Sequence, residues 1–143
     1  MRRTFKIGLM IAIIVTASCG KRKQEQTYPV HGKLTFQGQP MARALISFVP
    51  ADPEMRSMTS HATADDNGFF ELSTYRKRDG APMGDYVVTI CWPEESLTEK
   101  TAPKAGDEQI APDRLKNAYA GAATSSLRAT EKPQTNEVDF ALP

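Results

Sequence analysis

The sequence predicts an all-β protein, a sandwich of about seven short antiparallel strands with Greek-key connections. Apolar and polar residues alternate with a period of two in several stretches, which is typical of half-buried strands. Turn-forming Gly, Pro, Asn and Asp separate these stretches at intervals common in β-sandwiches. The 143 residues include only two cysteines. A disulfide scaffold is therefore excluded, and the core must consist of packed apolar side chains.

The first two strands are predicted at residues 30–36 and 44–49. Gly32 falls in the inward register of the first strand, and Gln-Gly-Gln-Pro at residues 37–40 turns the chain. Pro50 ends the second strand, because proline cannot donate a hydrogen bond to a sheet ladder. The residues predicted to face the core are Val30, Leu34, Phe36, Ala44, Ile46 and Phe48.

The rest of the domain is predicted to contain a hairpin and three further strands. A polar loop at residues 52–58 leads towards the turn Asp-Asp-Asn-Gly at residues 65–68, where Asn and Gly tolerate the positive φ of a hairpin. Strands follow at residues 85–92, 126–130 and 137–142. Inward positions around the turn and in the long strand are Ala62, Ala64, Phe70, Leu72, Tyr86, Val88, Ile90 and Trp92. Phe48, Tyr86 and Val88 are expected to share one core.

Residues 94–123 interrupt the alternating pattern with prolines among charged and small residues. Long irregular connections in compact domains are either functional or disordered. Residues 113–119 can form one short helical turn, with Leu115 and Tyr119 four positions apart on one face. We expect that turn to pack against the sandwich.

The start of the chain has the pattern of an export signal. Three basic residues precede an apolar run at residues 7–17, which is too short to span a membrane. Residues 1–18 are therefore predicted to be a signal peptide, and the following domain is expected outside the cytoplasm.

Cys19 is the predicted site of lipid attachment. The small residues before it resemble the lipobox of bacterial lipoproteins, in which the cysteine becomes the lipidated N-terminus. The pattern departs from that lipobox at Thr16, where an aliphatic residue is usual. An ordinary signal peptide that leaves Cys19 as a free thiol or disulfide partner is the alternative. Several acyl chains on one cysteine would hold the protein permanently on a membrane.

Residues 19–27 are predicted to be a flexible tether, and residues 28–143 a single domain. Removing residues 1–18 takes away three basic and no acidic residues, which leaves 15 basic and 17 acidic residues. A nucleic-acid-binding protein normally has a strongly basic face. The charge therefore gives no support to a nucleic-acid partner.

The motifs resemble the carboxypeptidase regulatory-like family. The matching stretches are Val-His-Gly-Lys-Leu-Thr-Phe at 30–36, Gly-Gln-Pro at 38–40, Ala-Leu-Ile-Ser-Phe-Val-Pro at 44–50, and residues 65–70, 84–90, 111–119 and 136–140. The resemblance implies a transthyretin-like sandwich of seven strands, common in small bacterial lipoproteins of undefined function. These motifs specify architecture and carry little chemistry.

Several candidate sites for chemistry each have a structural explanation. Residues 63–68 partly resemble a calcium loop, but Thr74 stands where the bidentate Glu is needed. His31 and His61 fall on outward positions of different strands, without the cluster that a metal site requires. The chain has no nucleophile-elbow pattern for a Ser-His-Asp hydrolase. The sequence therefore predicts no metal, no cofactor and no catalytic residue.

Cys91 could be a reactive thiol, although a lone cysteine in an apolar strand is more often a small buried residue. Three aromatic residues could form a platform on which a sugar stacks, or could fill the core and its margins. They are Phe69, Tyr75 and Trp92.

Two activities of related sandwiches can be checked against the residues. Transthyretin-like hydrolases of the purine pathway close with Tyr-Arg-Gly-Ser, whereas residues 140–143 are Phe-Ala-Leu-Pro. Adhesin repeats can join a first-strand lysine to a last-strand Asn with the help of a buried acid. Lys33 with Asn136 or Asp139 fits superficially, but Lys33 is in the outward register and Arg78 occupies the acid's position. Neither activity is expected.

The sequence thus favours a non-catalytic, lipid-anchored protein of the cell envelope that serves as a structural or protein-interaction module. A carbohydrate-binding module at the cell surface is the alternative, and a hydrolytic enzyme is third. The expected partners are a membrane, through the lipid on Cys19, and an envelope protein or polysaccharide.

Overall fold

The structure is a computed structural model that describes residues 24–94 and 112–143. The chain in these ranges is nearly all β-structure, which confirms the predicted all-β sandwich. No helix in them is long and apolar enough to cross a membrane. Besides a 3-10 helix at Pro53–Met58, the elements are β1 Thr27–Tyr28, β2 Val30–Phe36, β3 Gln39–Pro40, β4 Leu45–Pro50, β5 Ser60–Thr63, β6 Phe69–Glu71, β7 Ala81–Pro82, β8 Gly84–Cys91, β9 Arg128–Glu131, β10 Asn136–Glu137 and β11 Phe140–Leu142.

The first sheet is built around β2, which pairs along both of its sides. On one side β6 and β3 run antiparallel to it, with His31 opposite Glu71. On the other side β10 and β11 run parallel to it, with His31 opposite Glu137 and Leu34 opposite Phe140. The predicted first strand is confirmed. β10 and β11 depart from a purely antiparallel sandwich. After β9 the chain crosses from the second sheet to the first, where it enters beside the start of β2 and runs in the same direction.

Gly32 lies in the inward register, as predicted, and the parallel strand explains why it is a glycine. A Cβ at this position would lie 1.9 Å from the carbonyl oxygen of Val138. The Val138 amide also donates a hydrogen bond to the His31 carbonyl at 3.0 Å. β2 therefore approaches the segment between β10 and β11 more closely here than a Cβ atom would allow.

The second sheet is antiparallel and has the order β5, β4, β8, β9. Phe48 lies opposite Val88, and β4 extends one residue beyond the prediction because Pro50 pairs with Tyr86 as its last residue. A proline at a strand end costs the ladder a single donor. The predicted polar loop before β5 contains the 3-10 helix, whose first turn is capped by a 2.9 Å bond from the Glu54 amide to Asp52 Oδ1.

The two sheets bury one core between them, with Phe48 at its centre. The Phe48 ring centroid lies 5.7 Å from that of Tyr86, 6.5 Å from Phe70 and 6.3 Å from Phe140. Val88 is also fully buried, so the prediction that Phe48, Tyr86 and Val88 share a core is confirmed. The other buried apolar residues are Val30, Leu34, Met41, Ala44, Ile46, Ala64, Phe70, Leu72, Ala81, Ile90, Leu115, Ala129, Phe140 and Leu142.

The turn at residues 65–68 is confirmed, but the hairpin predicted around it is wrong. Its first arm, β5, pairs with β4 in the second sheet, and its second arm, β6, pairs with β2 in the first sheet. The turn therefore carries the chain from one sheet to the other. A local sequence pattern cannot specify this, because the partner of each arm is distant in the chain.

Residues 112–119 form a series of turns rather than the predicted helical turn, because Lys116 and Asn117 have φ of 53° and 61°. The Asp113 carboxylate holds these turns by accepting bonds from nearby amides. Leu115 is buried and Tyr119 packs against the core, as expected. Residues 95–111 lie outside the described residues.

Thr27, the last residue of the predicted tether, already belongs to a strand, in a two-stranded sheet of β1 and β7 that is separate from the two larger sheets. It pairs with Pro82, and Tyr28 pairs with Ala81. The Glu25 amide donates a 3.2 Å bond to the Tyr75 hydroxyl. The signal peptide, Cys19 and residues 20–23 lie outside the described residues.

Candidate functional site

The split hairpin opens a cleft between β5 and β6, where the chain passes from one sheet to the other. Its arms are joined at one end by two 2.9 Å bonds between His61 and Ser73, and at the other by a 2.8 Å bond from the Asp65 amide to the Phe69 carbonyl. Between these points Thr63 pairs with β4 and Glu71 with β2. The cleft is about 490 Å³ and is lined by His31, Ala62, Thr63, Asp65, Phe69, Phe70, Glu71, Ser73, Lys77 and Arg78.

A loop ordered by Asp79 brings two basic residues to this cleft. The Asp79 carboxylate accepts bonds of 2.7, 3.0 and 2.8 Å from the amides of Thr74, Tyr75 and Arg76. The Arg78 amide donates to Ser73 Oγ at 2.9 Å. Several charge-assisted bonds to one carboxylate fix the loop more firmly than neutral bonds would. Its side chains are therefore presented to the cleft by an ordered backbone.

The charges that line the cleft balance one another. Arg78 Nε lies 2.9 Å from Glu71 Oε2. Lys77 and Asp65 supply one further charge of each sign, and His31 adds a polar ring. The Asp65 Oδ1 atom accepts bonds from the amides of Asn67 and Phe69, which fixes the turn. The cleft thus offers donors and acceptors without a strong net charge.

Phe69 supplies an exposed apolar surface at this cleft. Its side chain is 53% exposed although it lies in a strand of the sandwich. The Lys33 ammonium lies 5.3 Å from the ring centroid, a cation–π contact that favours a defined ring orientation. A flat ring beside several hydrogen-bonding groups is suited to a ligand with one apolar face and many polar groups.

The three aromatic residues considered as a sugar platform do not come together. Trp92 packs edge-on against Phe36 at 5.9 Å, and its Nε1 donates to the Ala42 carbonyl at 2.9 Å. The Tyr75 hydroxyl accepts the bond from Glu25. Of the three, Phe69 lines the cleft, so the platform prediction is corrected to a single ring.

Serine, histidine and acidic residues meet at the cleft but do not form a catalytic arrangement. Ser73 Oγ accepts a bond from the Arg78 amide. Among the side-chain hydrogen bonds of residues 24–94 and 112–143, none joins Ser73 to His31 or His31 to Asp65. A nucleophile needs a base within hydrogen-bond reach and a third group that orients the base.

The two histidines lie on different strands, β2 and β5, as the sequence indicates. His31 lines the cleft, whereas His61 Nδ1 is 2.9 Å from Ser47 Oγ on the outer face of the second sheet. The described part of the chain contains no group of three or more His, Cys, Asp or Glu side chains that could hold a metal ion.

Cys91 is half-buried on the outward face of β8, opposite Leu45, rather than packed in the core. Burial, followed by the nearby negative charge of Asp113, raises the pKa of the Cys91 thiol. The thiolate is the nucleophilic form, so this environment does not activate it.

The residues considered for a crosslink make other contacts. Asn136 Nδ2 donates to the carbonyls of Lys132 and Gln134, and its Oδ1 accepts from the Lys132 amide. The Lys33 ammonium lies over Phe69, while the Lys33 backbone amide donates to Asp139 Oδ1 at 2.8 Å. Asn136 and Asp139 therefore fix the closing strand.

Glu131 is a chemically unusual residue that no sequence motif marks. It is 2% exposed, and neither carboxylate oxygen has a hydrogen-bond partner in the described residues. Burial raises the pKa of Glu131 to about 7. Its inward register, two residues after Ala129 in β9, was the available signal.

No protein-family model matches this chain, and a search of curated proteins finds no similar sequence. A crystal structure of a proposed carbohydrate-binding protein from Pseudomonas aeruginosa is similar over 83% of this chain and 90% of its own, with 16% identity and a TM-score of 0.46. A 9R-lipoxygenase from Cyanothece is similar over 86% of this chain, with 12% identity and a TM-score of 0.44, but only 18% of the lipoxygenase is covered. Neither likeness is strong enough to carry an inference about ligand or activity.

Proposed function

We propose that the chain is a non-catalytic, lipid-anchored protein of the cell envelope with its sandwich displayed outside the cytoplasm, related to the transthyretin-like carboxypeptidase regulatory-like lipoproteins. The export pattern and Cys19 support the anchor. The strand β1 begins at Thr27, so seven residues separate it from the lipidated cysteine. Such a protein holds its binding surfaces close to a membrane.

The proposed binding site is the split-hairpin cleft, and its ligand is an uncharged saccharide. The observation that carries this proposal is the exposed Phe69 ring at the wall of a cleft of about 490 Å³. A cleft of this size is in the range that accepts small ligands. A pyranose has an apolar face that can stack on Phe69 and hydroxyls that can bond to Arg78 and Glu71. The paired charges give no preference for an ion.

Binding of the purified chain to an array of envelope polysaccharides and oligosaccharides tests this proposal. Phe69→Ala should weaken binding about tenfold, equivalent to about 1.4 kcal/mol. Leu45→Ala is the matched control, because Leu45 is also an exposed apolar strand residue and its side chain is not among those that line the cleft, although its strand neighbour Thr63 is. Binding that is absent, or that is unchanged in Phe69→Ala, would contradict a saccharide site at the cleft.

A protein-interaction module is the second candidate, and the position of β9 at the edge of the second sheet, among the residues that the structure describes, favours it. β9 is the outer strand of that sheet, next to β8. An exposed strand edge can pair with a strand of a partner. Such a partner should still bind the Phe69→Ala variant and should be lost in Thr130→Pro, because proline cannot donate to an added strand.

A further inference from the structure

Methionines gather at a second groove that shares no lining residue with the cleft. The described ranges contain four methionines, and one of them, Met41, is fully buried in the core. The other three, Met55, Met58 and Met83, all line one groove of about 540 Å³ beside β1. Met55 and Met83 also line an adjoining cavity of about 220 Å³. These two side chains therefore lie where the groove and the cavity meet.

The backbone places two of these thioethers on one side of an element. Met55 and Met58 are three positions apart in the 3-10 helix at Pro53–Met58. Side chains three apart eclipse in such a helix, so both project in the same direction. The bond from the Glu54 amide to Asp52 Oδ1 fixes the start of this helix. Met83, 59% exposed, reaches the same groove from the segment between β7 and β8.

The groove is negative, and its acidic residues do not form a hard-metal site. Glu25, Asp52 and Glu54 line the groove, and Asp85 lines the adjoining cavity. Neither lining includes a lysine, arginine or histidine. No three acidic, histidine or cysteine side chains of the described residues converge as metal ligands. The electrostatic field of these carboxylates therefore favours a cation. The side chains that line the groove beside them and could ligate a soft cation are the three thioethers.

We propose that Met55, Met58 and Met83 bind a soft monovalent cation, Cu(I) or its analogue Ag(I). Thioether sulfur selects Cu(I) over the divalent ions that prefer oxygen or nitrogen ligands. The surrounding carboxylates offset the charge of the bound cation. The site is formed by residues flanking the N-terminal strand, so it lies on the side of the sandwich from which the predicted tether leaves.

The test uses the full chain, purified in detergent, with Cys19→Ala and Cys91→Ala to remove competing thiols. Under anaerobic conditions this protein should take one Cu(I) from a chromophoric chelator. Loss of a residue that supports a metal ligand weakens metal binding roughly 10–100-fold. Because a methionine here is itself the ligand, Met55→Leu, Met58→Leu and Met83→Leu should each weaken Cu(I) binding at least that much. Met→Leu conserves volume, so the fold should be retained. Met10→Leu is the control for the number of methionines.

Ag(I) titration followed by the NMR signals of the methionine methyl groups locates the site directly. The methyl signals of Met55, Met58 and Met83 should shift together and saturate at one equivalent, while that of buried Met41 should not. The proposal is overturned if the chelator retains the Cu(I), or if the triple leucine variant binds as well as its parent. It is also overturned if the Met41 methyl shifts like the others, because uptake would then be unspecific.

Discussion

Glu131 lies opposite Gly84 in the β8–β9 pair, with its carboxyl group buried beside the core. Burial raises the pKa of Tyr86, and the negative charge of Glu131 raises it further. The Tyr86 hydroxyl donates to the Pro82 carbonyl at 2.6 Å. An unpaired buried carboxylate is costly, and protonation removes that cost. The end of the core near β9 is therefore sensitive to pH.

We expect the free energy of unfolding to fall as the pH rises from about 4.5 to about 7. The pKa of Glu131 is raised from 4.5 to about 7 in the folded chain, so the folded state holds this proton more tightly than the unfolded state. The stabilisation of the folded state by this tightly held proton is complete below about pH 4.5 and is lost as the pH rises through about 7. It amounts to about 3 kcal/mol. Urea unfolding at pH 4 and pH 8 measures it.

Glu131→Gln should remove most of this pH dependence and should stabilise the protein at pH 8. Glu137→Gln makes the same change in charge at an exposed position of β10 and is the control. Equal free energies of unfolding for wild type at pH 4 and pH 8, after correction with the control, would show that Glu131 is solvated or hydrogen-bonded.

Phe48→Ala should destabilise the protein by about 3–5 kcal/mol. The side chain is fully buried and contacts three other aromatic rings, so its removal loses transfer free energy and leaves a cavity. Thermal and urea unfolding measure this loss. Leu45→Ala, in the same strand but 48% exposed, should change stability by about 0.5 kcal/mol or less. If the two variants unfold alike, the register of β4 is wrong by one residue.

Gly32→Ala should weaken the parallel pairing of β2 with β10 and β11. The new methyl group would meet the Val138 carbonyl oxygen at 1.9 Å, and backbone on both sides must move to relieve the clash. A cost of about 1–3 kcal/mol is expected, together with faster hydrogen exchange at Phe140 and Leu142. Gly121→Ala meets a single side-chain atom, Thr124 Oγ1 at 3.3 Å, and should cost less than Gly32→Ala, whose new methyl group meets backbone. Unchanged exchange in Gly32→Ala would refute the close approach.

Cys19→Ala should block removal of residues 1–18 and leave the precursor in the membrane fraction. Residues 16–19 of this chain resemble a lipobox, and in lipoproteins lipidation of the cysteine precedes cleavage. Mass spectrometry of the wild-type N-terminus should find a mature chain that begins at an acylated Cys19. An unmodified mature chain in the aqueous phase would instead indicate the ordinary signal peptide.

The inward registers of β2, β4 and β8 could be predicted because a strand's period of two is a local property of the chain. Gly32, Phe48 and Tyr86 all occupy the faces that alternation assigns to them. Leu115 and Tyr119 were also expected to pack against the sandwich, and they do. The helical turn expected between them is absent because two residues take positive φ, which spacing of apolar residues does not reveal.

The candidate site was harder to predict, because it depends on which sheet each arm of the turn joins. The outward position of Phe69 follows from alternation with the buried Phe70, but the cleft beside its ring exists because β5 and β6 belong to different sheets. No sequence pattern groups Met55, Met58 and Met83, because Met83 follows the other two by 28 and 25 positions. The buried carboxyl of Glu131 lies at an inward position that a charged residue rarely occupies.

The sequence by itself determined the all-β class, the inward faces of the long strands, the turn at residues 65–68 and the expectation of export with Cys19 as the anchor. These depend on neighbours within a few positions. Only the tertiary structure decided that the hairpin splits between two sheets, that the closing strands run parallel to β2, and which side chains line the cleft and the methionine groove. Those features depend on pairings between distant segments, and the backbone hydrogen bonds that make such pairings are the same for every residue type except proline.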